Sequence, residues 1–388
     1  MKILMFYTYR IIDSKGGMDK VFCDFANVMS SKGYDVLALA FENKRGKPFF
    51  NLSENVRFIN AGVGYKVNKF ISNLKSCWCL HREVRRRIRE KYKLASMSKR
   101  VLPYVDKYQP DIIISFNREA TYIIKQCLNV SVPVITMYHF NAEKILDDDF
   151  YFSAIESSEC LQTLLYRDVT VTKQIICPKK IVTIPNAVPQ FDTYAAYSNK
   201  KIISVGRIDG VQKRQKYICQ AMELIGKRFP DWKVELWGEI YDKKYFCELK
   251  ELLNRKNINN VSFCGVSNDI VNKLKDASIF AFPSAYEGFP LALTEAMSAG
   301  LPCVGFKSCP AVNELIKDGS NGILCDDTIE DFARGLAELM DDADKRERYG
   351  LQAKEDMKQY APEKIWNQWE ELINKIVREY RENNFRTS

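Results

Sequence analysis

A chain of 388 residues is too long for one hydrophobic core, and 46% apolar with 28% charged residues is the balance of a folded globular protein, so two domains of about 190 residues are expected and a fibrous or disordered chain is excluded. Its twelve cysteines fall singly apart from Cys77-Trp78-Cys79 and Cys303 to Cys309, and the absence of any C-x-x-C pair argues against a zinc site or disulfide framework and for reduced thiols in a cytosol. The net charge of +9 sits in the first half: residues 1–200 carry 30 Lys+Arg against 19 Asp+Glu, the remainder 28 against 30.

The chain opens on MKILMFYTYR, a short apolar run closed by Arg10 without a small-residue cleavage site, which predicts a strand over Lys2–Thr8 and not a signal peptide. Gly16 and Gly17 follow in the first strand-to-helix turn, where the missing Cβ lets backbone approach a ligand or simply turn. A helix is predicted over Met18–Ser31 and strands over Asp35–Phe41 and Val56–Asn60. Residues 65–100 then hold 12 basic and 2 acidic side chains, densest at Arg82, Arg85, Arg86, Arg87, Arg89, Lys91 and Lys93, interleaved with Phe70, Ile71, Leu74, Trp78, Leu80, Val84, Ile88 and Leu94. A helix there has a basic side and an apolar side. Such a helix suits an anionic membrane surface or the pyrophosphate of a lipid-linked acceptor, with a solvated helix on the domain core as the plain alternative. His81 reads as surface. Strands at Asp111–Phe116, Val132–Tyr138 and Val182–Ile184 complete the first set, and His139 stands at a buried strand end.

Pro185-Asn186-Ala187-Val188-Pro189 and the polar stretch Asp192–Lys200 form the linker. The boundaries are therefore 1–190, 200–361 and a C-terminal amphipathic helix over 362–388, expected to pack back on the first domain through Trp366, Trp369, Leu372, Ile373, Ile376 and Val377. The second domain repeats the alternation, with strands at Lys201–Val205, Lys233–Trp237, Val261–Phe263, Ser278–Phe282, Pro302–Phe306 and Gly322–Cys325. Strands alternating with helices imply parallel sheets, and the strand ends of two such domains are expected to face a central cleft where ligands bind. No run approaches the ~18 apolar residues that cross a bilayer, so membrane contact is expected to be peripheral.

The second domain also carries the chemistry. Gly206-Arg207 ends its first strand and Lys213 follows six residues later, two fixed cations suited to a diphosphate. In FPSAYEGFPLALTEAMSAG, from Phe282 to Gly300, a buried strand turns sharply at Gly288 and Pro290 into a helix whose first N–H groups, from Leu291 onward, make an anion site. Glu287 lies just before that site and Glu295 in the second turn, placing one carboxylate for a sugar and the other for a ribose; a capped helix with solvated acids is the plain alternative. The acidic runs Asp147–Asp149, Asp326-Asp327 and Asp341-Asp342 lack a D-x-D arrangement at a strand end and read as solvated surface, so no metal is expected.

Through SVGRIDGVQK, VSFCGV, FPSAYEGFPLALTEAMSAGLPCV and NGILC, the second half resembles the donor domain of retaining family 4 glycosyltransferases, which have the GT-B fold of two Rossmann-like domains. The first half resembles the acceptor domain more loosely, through Gly16-Gly17, His139 and the IPNAV hinge, which has Ala187 where the family usually has glycine. The resemblance implies that Arg207 and Lys213 bind the donor diphosphate and that Glu295 accepts from the ribose. Glu287 would hold the transferred sugar, with Gly288, Phe289 and Leu291 presenting backbone N–H groups and Gly16, Gly17 and His139 beside the sugar or acceptor. It implies transfer from a UDP sugar to a glycan or lipid-linked saccharide in surface polysaccharide or glycoconjugate assembly, without a metal or cofactor; the cysteine pattern and the basic segment add the expectation of a cytoplasmic protein peripherally associated with the inner face of a membrane. Two rivals stand beside it. A GT-B sugar-nucleotide epimerase would share the donor site, and a nucleic-acid binder would use residues 65–100; the latter lacks any recognisable module, so no nucleic-acid partner is expected.

Overall fold

The computed structural model describes residues 1–76, 81–139, 148–192, 195–267 and 269–387. Cys77, Trp78, Cys79, Leu80 and Asp147 of the segments discussed above lie outside the described residues, as does the Leu74 side chain. The chain divides into two compact units, Met1–Pro185 with Trp366–Ser388, and Asn186–Ile365.

In unit 1 the strands are β1 (Lys2–Tyr7), β2 (Asp35–Ala40), β3 (Arg57–Asn60), β4 (Ile112–Ser115), β5 (Val134–Met137), β6 (Cys160–Thr163) and β7 (Ile181–Thr183). They form one sheet in the order β3-β2-β1-β4-β5-β6-β7, every pairing parallel, with Phe6 opposite Leu39 on one side and Ser115 on the other. Parallel strands covered by helices on both faces are apolar throughout and do not alternate, which is why β1, β2 and β4 were legible as unbroken runs. The strand the pattern did not predict is β6. Its sequence CLQT is short and half polar, yet Gln162 and Thr163 are buried because Gln162 Nε2 donates to the Ile184 carbonyl at 2.6 Å and Thr163 Oγ1 lies 3.1 Å from Thr183 Oγ1. Tertiary partners, absent from the local pattern, satisfy the Gln162 amide nitrogen and the Thr163 hydroxyl.

The helix Gly17–Ser31 presents Phe22 and Phe25 to this sheet, where Phe22 meets Phe116 edge to face at 4.8 Å. On its other flank Phe25 meets Trp369 at 4.9 Å, from the helix Pro362–Thr387, and ion pairs Lys32–Glu370 and Arg381–Asp111, each 2.6 Å, tie that helix along unit 1. Trp369 is fully buried, so its truncation to alanine would cost about 3–5 kcal/mol.

Unit 2 holds β8 (Lys201–Val205), β9 (Lys233–Trp237), β10 (Val261–Gly265), β11 (Ile279–Phe282), β12 (Cys303–Phe306) and β13 (Gly322–Cys325), in the order β10-β9-β8-β11-β12-β13, again all parallel. In both sheets the strand order reverses beside the first strand, between β1 and β4 and between β8 and β11. At such switch points helices diverge to opposite faces and leave the carboxyl ends of the two strands open to a ligand.

Candidate functional site

The loops leaving β8 and β11 meet at the switch point of unit 2. Gly206 brings the first loop close: a Cβ there would stand 3.3 Å from the Lys213 side chain, which lies along it. Asp209-Gly210 then makes an Asx turn, the Asp209 carboxylate accepting from the Val211 N–H at 2.8 Å and the Gln212 N–H at 3.2 Å. Burial pushes the Asp209 carboxyl up, but those N–H groups and Arg207 outweigh it, leaving its pKa below the usual carboxylate value. Asp209 therefore holds Arg207, whose Nε donates to it at 2.9 Å. The guanidinium also lies 4.8 Å from the ring centre of Tyr241, in the loop after β9.

Two carboxylates and two cations interlock here. Lys213 Nζ donates to Glu287 Oε1 at 2.6 Å, and their side chains are 17% and 8% exposed. Gln212 joins the pair to Arg207: its Oε1 accepts from Arg207 Nη2 at 2.7 Å while its Nε2 donates to Glu287 Oε2 at 3.3 Å and to the Tyr286 carbonyl at 3.1 Å. Beyond Gly288 and the buried Phe289, Pro290 is the N-cap of the helix Leu291–Ser298 and not its first residue. The first backward bond runs from Thr294 N to Pro290 O at 3.0 Å, so the N–H groups of Leu291, Ala292 and Leu293 open toward the preceding loop end as the sequence implied. Glu295 sits half-buried in the second turn.

Sequence reasoning missed Asp209, Gln212 and Tyr241; the Asp-Gly pair two residues after Arg207 was the available signal for the first. It also missed Arg214, which adopts φ 49° and spans from the Pro283 carbonyl to Asp327 at 3.0 Å, over the Tyr217 and Phe306 rings. The run Asp326-Asp327 is thus partly an anchor for Arg214 and not simply solvated surface. Among the described residues no group of three or more His, Cys, Asp or Glu side chains gathers as a metal site.

In unit 1 Gly16 is the N-cap of its helix and donates its N–H to Asp19 Oδ2 at 3.0 Å; a Cβ on Gly16 would press to 2.7 Å on that oxygen. The missing Cβ thus makes room for Asp19, buried against Tyr7 and Ser14. Gly17 begins the helix. His139 stacks on Phe116 at 5.4 Å, and burial alone lowers its pKa from 6.5 to about 4, keeping the imidazole neutral at physiological pH. Its Nε2 is buried without a hydrogen-bond partner among the described residues. At the neighbouring end of β4, Asn117 donates to Thr8 Oγ1 at 2.7 Å and to Glu119 at 3.1 Å, and Tyr9 donates to Glu119 at 3.0 Å. No local motif marks that cluster.

The basic segment forms two helices, Lys69–Ser76 and Arg82–Tyr108. His81 is the exposed N-cap of the second. Its charge is less free than the count of residues suggested. Arg86 forks onto Asp148 with two 3.0 Å bonds and onto Glu83, Arg87 pairs with Asp149 and Glu83, and Arg89 donates to Ser76 at 3.0 Å. Asp148 is nearly buried, which corrects the reading of 147–149 as wholly solvated: it offsets its loss of water through a bidentate cation from 62 residues away. Arg82 and Arg85 lie in the first turn of the second helix, and Phe70, 77% exposed, Ile71 and Val84 are exposed apolar neighbours in sequence of Lys69, Ser72 and Arg85.

Residues 191–356 match the family model described as glycosyl transferases group 1. Over 381 residues, 96% of this chain and all of the relative, the sequence is 25% identical to an uncharacterized glycosyltransferase of Haemophilus influenzae. Over 196 residues, 45% of this chain and 49% of the relative, it is 30% identical to the Escherichia coli UDP-Gal:alpha-D-GlcNAc-diphosphoundecaprenol alpha-1,3-galactosyltransferase. Among solved structures, Anabaena HepE in complex with UDP and glucose superposes with a TM-score of 0.74 at 17% identity, covering 96% of this chain and 99% of that one.

Proposed function

We propose that this glycosyltransferase, a GT-B chain whose residues 191–356 form a group 1 domain, transfers a sugar from a UDP sugar to a hydroxyl of a glycan or lipid-linked saccharide, with retention of anomeric configuration. The observation that carries the reading is the convergence of Arg207, Lys213 and Glu287 on the loop that opens the helix Leu291–Ser298. The HepE complex with UDP and glucose and the E. coli relative's UDP-Gal donor and diphosphate-linked acceptor support the donor and acceptor class.

In this reading the diphosphate lies against the helix N–H groups, with Arg207 and Lys213 neutralising the charge that grows as the bond from the anomeric carbon to the diphosphate oxygen breaks. Glu295 accepts from the ribose hydroxyls and Glu287 from the transferred sugar. The acceptor oxygen forms its bond on the face that the diphosphate leaves, and its proton passes to the departing phosphate oxygen. Glu287, already engaged by Lys213 and Gln212, is a hydrogen-bond acceptor here and not a covalent nucleophile. The cations and helix start do the work a divalent metal does elsewhere. Unit 1 takes the acceptor, and its face around Lys69, Phe70, Arg82 and Arg85 rests on an anionic membrane surface.

The test is a thermal-shift and calorimetric panel of UDP, GDP, ADP and their sugars. Uridine ligands are expected to raise the melting temperature most. Arg207→Ala, which removes a charge-assisted contact of about 1.5–3 kcal/mol, should weaken UDP binding roughly 10- to 150-fold, and Glu295→Ala should weaken it with no fall in unliganded melting temperature. Unchanged donor affinity in both variants would sink the site assignment.

A further inference from the structure

Gln212 hydrogen-bonds to both Arg207 and Glu287, and its amide meets them with opposite polarity. The oxygen accepts from the guanidinium at 2.7 Å, and the nitrogen donates to the carboxylate at 3.3 Å and to the Tyr286 carbonyl at 3.1 Å. Its backbone ties the same two loops, the N–H reaching Asp209 at 3.2 Å and the carbonyl accepting from Ala285 N at 2.8 Å. Few residues can stand there. Glutamate offers only acceptors and would oppose Glu287, lysine and arginine offer only donors and would oppose Arg207, and asparagine is one methylene short of both.

We infer that Gln212 is a positioning residue that sets the distance between the cation reading the diphosphate and the carboxylate reading the sugar, so that the site prefers an intact nucleotide sugar to the free nucleoside diphosphate. The inference rests on the donor-site reading above. Of the two groups that Gln212 spans, a nucleoside diphosphate engages only Arg207, whereas a nucleotide sugar engages Arg207 and Glu287 together, and only the second ligand feels their spacing. Nothing in catalysis requires Gln212 to touch the ligand.

The experiment is calorimetric titration of the full chain with UDP and with UDP-glucose, UDP-galactose and UDP-N-acetylglucosamine, at pH 8 and pH 5.5, for wild type, Gln212→Met and Gln212→Glu. Methionine keeps the length and loses both bonds, so affinity for the best-bound UDP sugar should fall about 3- to 10-fold at both pH values, with UDP changed less. Gln212→Glu should lose at least about tenfold at pH 8, because two carboxylates then face each other. At pH 5.5 that loss, measured against wild type at the same pH, should narrow, because a protonated carboxyl donates to Glu287 as the amide does. The charged and titratable groups on the two loops that meet at position 212 are Arg207, Asp209, Lys213 and Arg214 from its own loop and Tyr286 and Glu287 from the facing loop, with the Tyr241 ring over Arg207; all are shared with wild type. The pH recovery distinguishes positioning from mere loosening of the loop, since a structural defect would persist at both values. Unliganded melting curves identify a variant that fails to fold, and Gln212→Asn then serves as the second substitution, with the same expected loss for the UDP sugar. Variants that match wild type for both ligands, or lose UDP and UDP sugar equally, overturn the inference. A wild type that binds none of the four ligands overturns the reading beneath it instead.

Discussion

Replacing Lys213 by methionine isolates the central ion pair of the candidate site. Methionine keeps the stem that lies along Gly206 and over the Phe282 ring, 5.0 Å from the ammonium, and removes only the charge. Glu287 is then left 8% exposed without its 2.6 Å cation. Breaking a fully buried pair costs about 3–5 kcal/mol and an exposed one about 0–1. Gln212 still donates to Glu287 and Lys213 is itself 17% exposed, so the expected loss is intermediate, about 2 kcal/mol, or about 4–8 °C in melting temperature for a unit of this size. Glu287→Gln alone should cost less, because a lysine can turn toward water. The double variant Lys213→Met with Glu287→Gln should be more stable than the sum of the single losses predicts by about 1–2 kcal/mol, since no unpaired carboxylate remains. Thermal and chemical unfolding of the four proteins without ligand measures that coupling. Additivity within about 0.5 kcal/mol would refute the argument that the two charges compensate one another in the folded protein.

Activity is expected to survive chelation, because Arg207, Lys213 and the helix start neutralise the diphosphate; complete loss with EDTA, restored by magnesium or manganese, would show a metal-dependent reaction. The protein should sediment with vesicles containing phosphatidylglycerol more than with phosphatidylcholine, and less as salt is raised, since exposed charges are screened within about 8–10 Å. Glutamine at Lys69, Arg82, Arg85 and Arg89 should abolish that preference and spare UDP binding, whereas equal sedimentation of this variant excludes the surface; Arg86 is left in place because its loss would strand Asp148. Keeping His139 neutral makes stability depend on pH. Its folded pKa of about 4 lies below the 6.5 of the unfolded chain, so between these values the unfolded chain binds more protons. This contribution, roughly 3–4 kcal/mol at about 1.4 per pKa unit, is fully present above about pH 6.5 and is lost as pH falls toward 4. His139→Asn should flatten the melting profile over that window, and an unchanged slope would assign it to other groups.

Much of this protein is written locally. Doubly wound parallel sheets announce themselves because β1, β2, β4, β8 and β11 are buried on both faces and need unbroken apolar runs, and Gly288 with Pro290 marks a sharp turn into a helix whatever surrounds it. Charge was legible only as a count, because a cation's state depends on partners that the chain brings from afar. Arg86 and Arg87 meet Asp148 and Asp149 from 62 residues away, Lys213 meets Glu287 from 74, and Arg214 meets Asp327 from 113. The strand β6 stayed hidden for a related reason, since its polar residues are tolerated in the core only once β7 and the chain beyond it supply their hydrogen bonds. The C-terminal helix showed its apolar stripe in sequence, but that Trp369 finds Phe25, 344 positions earlier in the chain, is a matter of shape complementarity between distant surfaces, which local pattern does not encode.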